Sequence, residues 1–367
     1  MKKKNLILTI IFGLILISPT VLGYFEIGKN FVLEENRDLA YKPKMGIYEK
    51  FPKLFTNYFN DHFGLRKQFI VSDRWIRFKL FGVSPNKAIT IGKNNWLFYT
   101  PDVNYIDSVN AQGFSQGELE QIKNNLEKVQ KDFKNLGINF YFLAAPNKQS
   151  IYPEFLPSYM KKIRPESRLD QLSEFLKNDK KIAFINPKNE LLAAKETEVL
   201  YLKYDTHWND LGAFIAYQKL FQRISDDFKN IKAKDINDFE IEEKEVPNND
   251  LAQQMGVAGK FKEKEMLFEN KKTRAKTVFE DCPKAYTLCP LKILEVHDNK
   301  LPKMVMFRDS FGVGLIPFIA EHFQRSYFYW GSIPFSNSII KKEKPNIVIM
   351  ELTERELWRL KDKLFEF

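Results

Sequence analysis

Histidine and cysteine are scarce in this chain, and the familiar serine-hydrolase signature is missing around Ser310. Among 367 residues there are four histidines, His62, His207, His297 and His322, and two cysteines, Cys282 and Cys289. A structural zinc site needs about four clustered His, Cys or carboxylate ligands. The histidines stand in dissimilar contexts and the cysteine pair is alone, which argues against a dedicated metal site. No G-x-S-x-G surrounds Ser310, the serine that ends the 304–307 strand, so the usual nucleophile-elbow sequence of α/β-hydrolases is absent there. Internal repeats and low-complexity tracts are lacking, and no cofactor is implied. Long basic runs are lacking too: the net charge is +10, yet lysines are spread along the whole chain with only short clusters such as Lys341-Lys342-Glu343-Lys344. Nucleic acid aside, such a charge suits an acidic polymer, a lipid surface or a solvated lysine-rich face, and the even spread of lysines favours the last.

What is present begins at the N-terminus. Lys2, Lys3 and Lys4 precede an apolar run from Leu6 to Phe25, interrupted only by Thr9, Gly13, Ser18, Pro19, Thr20 and Gly23. At ~1.5 Å per residue, about 20 residues cross a bilayer core. The lysines stay on the cytoplasmic side and send the remainder outward. A cleaved signal peptide is the competing reading, but no A-x-A-like site follows. Residues 1–25 are therefore expected to be an uncleaved inner-membrane anchor, with residues 26–367 outside it. An extracytoplasmic site disfavours nucleic acid as partner. It also favours a local disulfide between Cys282 and Cys289, seven positions apart in a Pro-flanked loop, over two unpaired thiols.

Along the rest of the chain, helical and strand patterns alternate. Phe51 to Phe81 reads as an aromatic, mixed-charge helical region ended by Gly82, with Phe55, Phe59, Phe63 and Phe69 near helical spacing, a stripe expected to be core. Asn94-Asn95 separates two short strand patterns. Ser115 with Glu118 forms a capping-box pattern before Leu119, Ile122, Leu126, Val129 and Phe133, and Gly137 ends that helix. Ile138 to Ala145 is a continuous apolar run, as in a strand buried on both faces of a parallel sheet. A helix at about 167–178, a strand at 182–186 and a helix capped by Asn209 or Asp210 follow. Residues 225–300 are charge-rich and are expected to elaborate the sheet. A strand at 304–307, a helix at 310–323, a strand at 347–351 and a last helix with Leu357, Trp358 and Leu364 complete the pattern. Such alternation predicts a three-layer α/β/α sandwich with a mostly parallel sheet.

The chemistry concentrates in two segments. Asp205-Thr206-His207-Trp208 places a carboxylate two residues before an imidazole just ahead of a helix. Arg308-Asp309-Ser310-Phe311-Gly312 ends a strand in a hydroxyl. Serine alone is a poor nucleophile; a histidine that takes its proton and an aspartate that orients the histidine make it a good one. In open α/β sheets such residues gather at the carboxyl ends of strands. Asp205, His207 and Ser310 are therefore the candidate triad, against the plainer reading of Asp309 or Ser310 as a helix cap. The N–H groups opening the following helix are expected to form part of an oxyanion hole. Asn147, just past the 138–145 strand, is a candidate second donor or a turn former. Trp208 is a candidate for stacking on a sugar or for packing, and Arg308 is a further candidate substrate contact.

These segments and several others resemble the alginate O-acetyltransferase type of SGNH hydrolase-like proteins. The resemblance rests on Glu35-Asn36-Arg37 with Leu39-Ala40 and Pro43, Asp61-His62-Phe63-Gly64-Leu65-Arg66, Ile91-Gly92-Lys93 with Trp96-Leu97-Phe98, and Pro146-Asn147-Lys148 with Tyr152. It continues through Asp205-Thr206-His207-Trp208, Asp250-Leu251-Ala252 with Gly256, Arg308-Asp309-Ser310-Phe311 and Glu354-Arg355. It implies a circularly permuted SGNH hydrolase-like fold with Asp205, His207 and Ser310 as triad. It also implies acetyl transfer to exopolysaccharide hydroxyls in the periplasm, with acetyl supplied through a membrane-bound O-acyltransferase. Arg308 stands where SGNH enzymes usually carry glycine. A carbohydrate acetyl esterase and a non-catalytic glycan-binding or scaffold subunit are the alternatives.

Overall fold

The apolar run at 138–145 forms the interior of a seven-stranded sheet. In a computed structural model that describes residues 2–25, 39–44, 49–246, 249–257, 259–282, 289–331, 335–362 and 364, the strands are as follows. They are β1 (Ile89–Ile91), β2 (Leu97–Tyr99), β3 (Asn139–Ala145), β4 (Phe184–Ile185), β5 (Phe239–Val246), β6 (Glu263–Asn270), β7 (Lys276–Asp281), β8 (Leu291–Glu295), β9 (Lys303–Arg308), β10 (Arg325–Trp330) and β11 (Ile347–Thr353). The main sheet has the order β4-β3-β11-β9-β10-β8-β7. Its pairings are parallel from β4 through β10 and antiparallel at β10–β8 and β8–β7. β1 pairs with β2, and β5 with β6, as separate antiparallel ribbons.

Alternation along β3 explains the layers. Tyr141, Leu143 and Ala145 face one way and pack with Ala213, Tyr217, Leu220 and Ile224 of the helix Asp210–Asp227. Phe140, Phe142 and Ala144 face the other way, against Ile122, Leu126, Val129 and Phe133 of the helix Gln116–Asn135. Successive strand side chains point to opposite faces, so a strand covered by helices on both sides must be apolar throughout. The capping box of Ser115 and Glu118 is formed, and Asn209 caps the helix Asp210–Asp227 by accepting from the Gly212 N–H at 2.9 Å. The protein is thus the expected three-layer α/β/α sandwich.

Two expectations are corrected. The helix foreseen over 310–323 is broken into a 3-10 turn at Phe311–Val313, four α residues at Ile316–Ile319 and a 3-10 turn at Ala320–His322. Gly312 and Gly314 weaken a continuous helix, and Pro317 is tolerated because it opens a fresh turn. The C-terminal helix is 3-10 over Glu354–Lys361. The charge-rich region 225–300 supplies β7 and β8 to the antiparallel edge of the sheet as well as the β5–β6 ribbon. A disulfide joins Cys282 to Cys289 at the end of β7.

The chain divides into two compact units, Met1–Lys87 with Ala252–Phe261, and Ala88–Leu251 with Lys262–Phe367. The sheet and both helical layers belong to the second. The first contains helices α1 (Lys2–Tyr24), α2 (Phe51–His62) and α3 (Arg66–Phe81). Among the described residues, α1 is the one helix long and apolar enough to cross a membrane. Leu65 takes a left-handed conformation, φ 61°, between α2 and α3, and Gly82 does the same at the end of α3. Val71 and Phe78 are the buried residues of α3, and Trp75 and Phe78 meet Phe261 edge-on. The aromatic stripe expected to be core is not buried: no residue of α2 is, and its rings stack on one another, Phe51 to Phe55 to Phe59 to Phe63 to Phe69. The Glu35-Asn36-Arg37 segment lies outside the described residues.

Candidate active site

Parallel strands deliver their carboxyl ends to one edge of the sheet, and β3, β11 and β9 are neighbours there. Hydrogen bonds lace the loops that follow them. The Asn147 N–H donates to Glu354 Oε2 at 2.9 Å, and the Tyr201 hydroxyl donates to the Pro146 carbonyl at 2.7 Å. Asp309 Oδ2 accepts from the Thr353 N–H at 2.8 Å and from its hydroxyl at 2.5 Å, while the Asp309 N–H donates to Glu351 Oε2 at 3.0 Å. Glu351 is fully buried, and burial followed by the neighbouring Asp309 charge pushes its carboxyl well above the usual range.

Asp205 and His207 sit in the turn between Tyr201 and Trp208, which form an isolated antiparallel bridge. Asp205 Oδ1 accepts from His207 Nδ1 at 2.8 Å and from the His207 N–H at 2.9 Å; Oδ2 accepts from the Asp250 N–H at 2.8 Å. Burial alone would raise the Asp205 carboxyl, but the hydrogen bond and charge of His207 with those two backbone donors outweigh it and hold it at about 2. Burial disfavours charged His207. The bond and charge of Asp205 and the charge of Asp250 prevail, and its imidazole titrates above the ordinary histidine value. With Nδ1 engaged by the carboxylate, His207 Nε2 is left buried and without a partner among the described residues.

The serine segment packs directly beside this pair. The His207 and Phe311 rings are 5.0 Å apart, and Trp208 Nε1 donates to the Phe311 carbonyl at 3.0 Å. Ser310, half-buried, follows β9 in a helical conformation, φ −67°, ψ −29°. Its hydroxyl is not hydrogen-bonded to His207 here, so the Asp–His link is closed and the His–Ser link is open. Catalytic hydrogen bonds are often long in substrate-free enzymes and tighten when substrate binds. The Phe311 N–H, expected to help form an oxyanion hole, donates instead to Asp309 Oδ1 at 2.9 Å, and the short 3-10 turn there offers no helix N-terminus.

Two candidate substrate contacts are corrected. Trp208 is 5% exposed, with its indole N–H satisfied by Phe311 and its ring edge-on to Phe311, so it packs the site and does not present a face to a glycan. Trp208→Ala is accordingly expected to destabilise the fold by about 3–5 kcal/mol, as large-to-small aromatic substitutions in cores do. Chemical denaturation should show it as a lower midpoint, whereas a glycan-stacking role would leave the midpoint unchanged. Arg308 is 1% exposed; its guanidinium donates to the Cys289 and Asp309 carbonyls at 2.7 and 3.1 Å and lies over the Trp330 ring. It buttresses the serine turn from inside. Asn147 is brought to the strand ends as expected, with its side-chain Oδ1 buried and unpartnered.

Sequence reasoning assigned no role to Lys148 and Asp250. Lys148 Nζ is buried and donates to the carbonyls of Leu97, Lys203 and Asp205 at 2.7, 2.9 and 2.9 Å, 4.9 Å from the Trp96 ring. Burial brings its ammonium down to about 7. Glu263 holds the same turn from the other side by accepting the Lys203 and Tyr204 N–H groups. Asp250 accepts the Thr206 N–H at 2.7 Å while its own N–H serves Asp205. Burial and the Asp205 charge push Asp250 up to about 6. Asp205, His207 and Asp250 also bring three potential metal-ligand atoms together, each of them engaged in the hydrogen bonds above or facing them. Because the Asp250 charge favours imidazolium, Asp250→Asn should move the acid limb of kcat/KM to lower pH. Asparagine keeps both the backbone donor and an acceptor for Thr206. An unmoved acid limb would separate Asp250 from the titration of His207.

Residues 89–288 match the family described as the SGNH hydrolase-like domain of the acetyltransferase AlgX. That match includes Asp205 and His207 and ends before Ser310. The chain is 27% identical over 136 residues to the probable alginate O-acetylase AlgJ of Pseudomonas aeruginosa, covering 36% of this chain and 32% of that protein. It is 24% identical over 223 residues to the Pseudomonas fluorescens protein of the same name, covering 58% and 51%. The chain thus spans between a third and about half of the curated relatives it matches. Among solved structures, PatB1 of Bacillus cereus superposes with a TM-score of 0.54 at 18% identity, over 74% of this chain and 97% of that one. A DHHW family protein from Eubacterium siraeum gives 0.51 at 15% identity, over 67% and 90%. At such identities these likenesses speak for the fold.

Proposed function

The chain belongs to the AlgX-type family of SGNH hydrolase-like domains, and on that premise we propose that it is a polysaccharide O-acetyltransferase working through an acetyl-Ser310 intermediate. Ser310 Oγ attacks the donor acetyl carbonyl as His207 Nε2 takes its proton; the tetrahedral intermediate collapses, and the proton leaves with the donor group. A sugar hydroxyl then attacks the acetyl-serine, giving its proton to Nε2, which returns it to Ser310 as the sugar acetate departs. Asp205 orients His207 and favours the imidazolium that forms twice in each cycle. Asn147, whose carboxamide is uncommitted, supplies a donor to the tetrahedral oxygen. α1 anchors the chain in the bacterial inner membrane with the second unit in the periplasm. A membrane-bound O-acyltransferase supplies the acetyl group.

The observation that supports this reading best is the closed Asp205–His207 pair with an unpartnered Nε2 beside the segment that carries Ser310. Transferase and esterase share this acyl-enzyme and differ in what attacks it. A bound sugar hydroxyl must outcompete water at ~55 M, which effective molarities of ~10⁵–10⁸ M for oriented groups permit. Given an activated acetyl ester and bacterial exopolysaccharide oligomers, the protein should yield acetylated oligomers as its main product by mass spectrometry. Rapid ester hydrolysis with unmodified oligomers, and removal of acetate from acetylated ones, would make it an esterase.

A further inference from the structure

The exposed faces of α2 and α3 are unlike the rest of the surface. On α2, Phe51, Leu54, Phe55, Tyr58 and Phe59 recur at three- and four-residue intervals and so share one face, yet none is buried and Phe55 is 48% exposed. On α3 the spacing of Phe69, Ile76 and Leu80 puts them on one side, opposite the buried Val71 and Phe78, with Phe69 51% and Leu80 73% exposed. Exposed apolar stripes of this extent on a folded protein mark an interaction surface. Between Phe51 and Phe81 there are six basic side chains, Lys53, Arg66, Lys67, Arg74, Arg77 and Lys79, against two acidic ones, Asp61 and Asp73. Asp61 pairs with Arg66 and Asp73 with Arg77.

The position of these helices in their unit identifies what covers them. Gly64, in the turn from α2 to α3, lies against the outer end of α1 so closely that a Cβ there would collide with the Pro19 carbonyl and the Gly23 backbone nitrogen. Before that contact, the large apolar side chains of α1 from Leu6 to Ile17 are exposed. If α1 spans the bilayer with its lysines inside, the α2–α3 corner is fixed at the level where the span leaves the hydrocarbon. Aromatic side chains favour that interfacial layer, and basic amphipathic helices lie in it. Each Lys or Arg near an anionic surface contributes about 1 kcal/mol of attraction.

We propose that α2 and α3 lie on an anionic lipid surface beside the α1 span, with the aromatic ladder of α2 and the Phe69-Ile76-Leu80 stripe of α3 set into the interface. The inference rests on α1 as a membrane span and is independent of the acetyl-transfer chemistry. It assigns this surface to lipid rather than to a second protein.

The test uses the full chain in vesicles of phosphatidylcholine with and without phosphatidylglycerol. Single cysteines replace Phe55, Leu80, Asn57 or Ile11 and carry a nitroxide; the native cysteines are held in their disulfide. All four positions are exposed or on an exposed helix, so the substitutions leave the buried contacts of α3 intact. Oxygen and a water-soluble nickel chelate then report immersion. Ile11 on α1 serves as the immersed reference and Asn57, on the far face of α2, as the aqueous one. The expected result is an oxygen-to-nickel accessibility ratio several-fold higher at Phe55 and Leu80 than at Asn57, larger with phosphatidylglycerol present. Ratios at Phe55 and Leu80 equal to that at Asn57, with Ile11 immersed, would overturn the proposal. Shielding of both positions from oxygen and nickel alike would also overturn it, by showing that another copy of the chain covers the face. A water-accessible Ile11 would remove the span itself and the inference with it.

Discussion

Ser310→Ala is expected to lower kcat for acetyl transfer by roughly 10⁵- to 10⁶-fold, the scale seen when the nucleophile of a serine triad is removed. Its fold should be almost unaffected. Ser310 is half-buried, and its hydroxyl makes no hydrogen bond among the described residues, so the substitution leaves no buried donor or acceptor stranded. Unfolding free energy should therefore stay within about 0.5 kcal/mol of the parent. The same preparation supplies a second readout. With an activated acetyl ester, the parent should accumulate an acetylated peptide containing Ser310, and the variant should not. Near-parental turnover by the variant, or acetylation mapped to another residue, would dismiss the nucleophile assignment. The experiment carries weight because the family match ends before Ser310, leaving local geometry as its support.

The parts of the fold that could be read in the sequence are those with strong local signals. β3 is an uninterrupted apolar run, and the helix Gln116–Asn135 has a capping box, a regular apolar stripe and a glycine beyond its end. β10 escaped because Arg325 and Ser326 open it and no turn signal separates it from Phe323, where the expected helix ends. β7 escaped because all its residues are exposed and alternation carries no signal without a buried face. The triad candidates were legible because Asp, His and Ser have chemistry that packing does not require. Lys148 was not, since a lone lysine in sequence gives no hint of burial; its three carbonyl partners come from residues 97, 203 and 205 and meet it only in the fold. Trp208 fitted both stacking and packing, packing being the commoner role at a helix entry, until the Phe311 carbonyl was found on its indole N–H.

Nor could the sequence show that the aromatic stripe of α2 faces outward. Helical periodicity identifies a face and not its solvent: core, bilayer and partner protein all select the same spacing. The exposure of that face, together with the contact of Gly64 on α1, distinguishes α2 from the equally periodic helix Gln116–Asn135, whose stripe is buried against the sheet.

Asp205→Asn should cost up to roughly 10⁴-fold in kcat, as loss of the triad carboxylate does where the amide leaves the imidazole in the unproductive tautomer. In this protein both carboxylate oxygens are committed. Oδ1 takes two donors from His207 and Oδ2 takes the Asp250 N–H. An amide NH₂ in the Oδ1 position would face both the His207 N–H and Nδ1, forcing the proton onto Nε2, the atom that must accept from Ser310. In the Oδ2 position it would spare the tautomer but oppose the Asp250 N–H, leaving a buried donor unpaired at about 1–3 kcal/mol. Either arrangement removes the charge that raises His207 above its ordinary value, so residual activity should show its acid limb at lower pH than the parent. A stability effect follows with the same sign logic. Asp205 titrates lower in the folded chain, near 2, than the usual carboxylate near 4;. The parent therefore gains stability above that usual value and loses it as pH falls toward 2, and the asparagine variant should lack this component of the acid transition. Unchanged kcat together with an unmoved acid limb would reduce Asp205 to a structural bridge between His207 and Asp250.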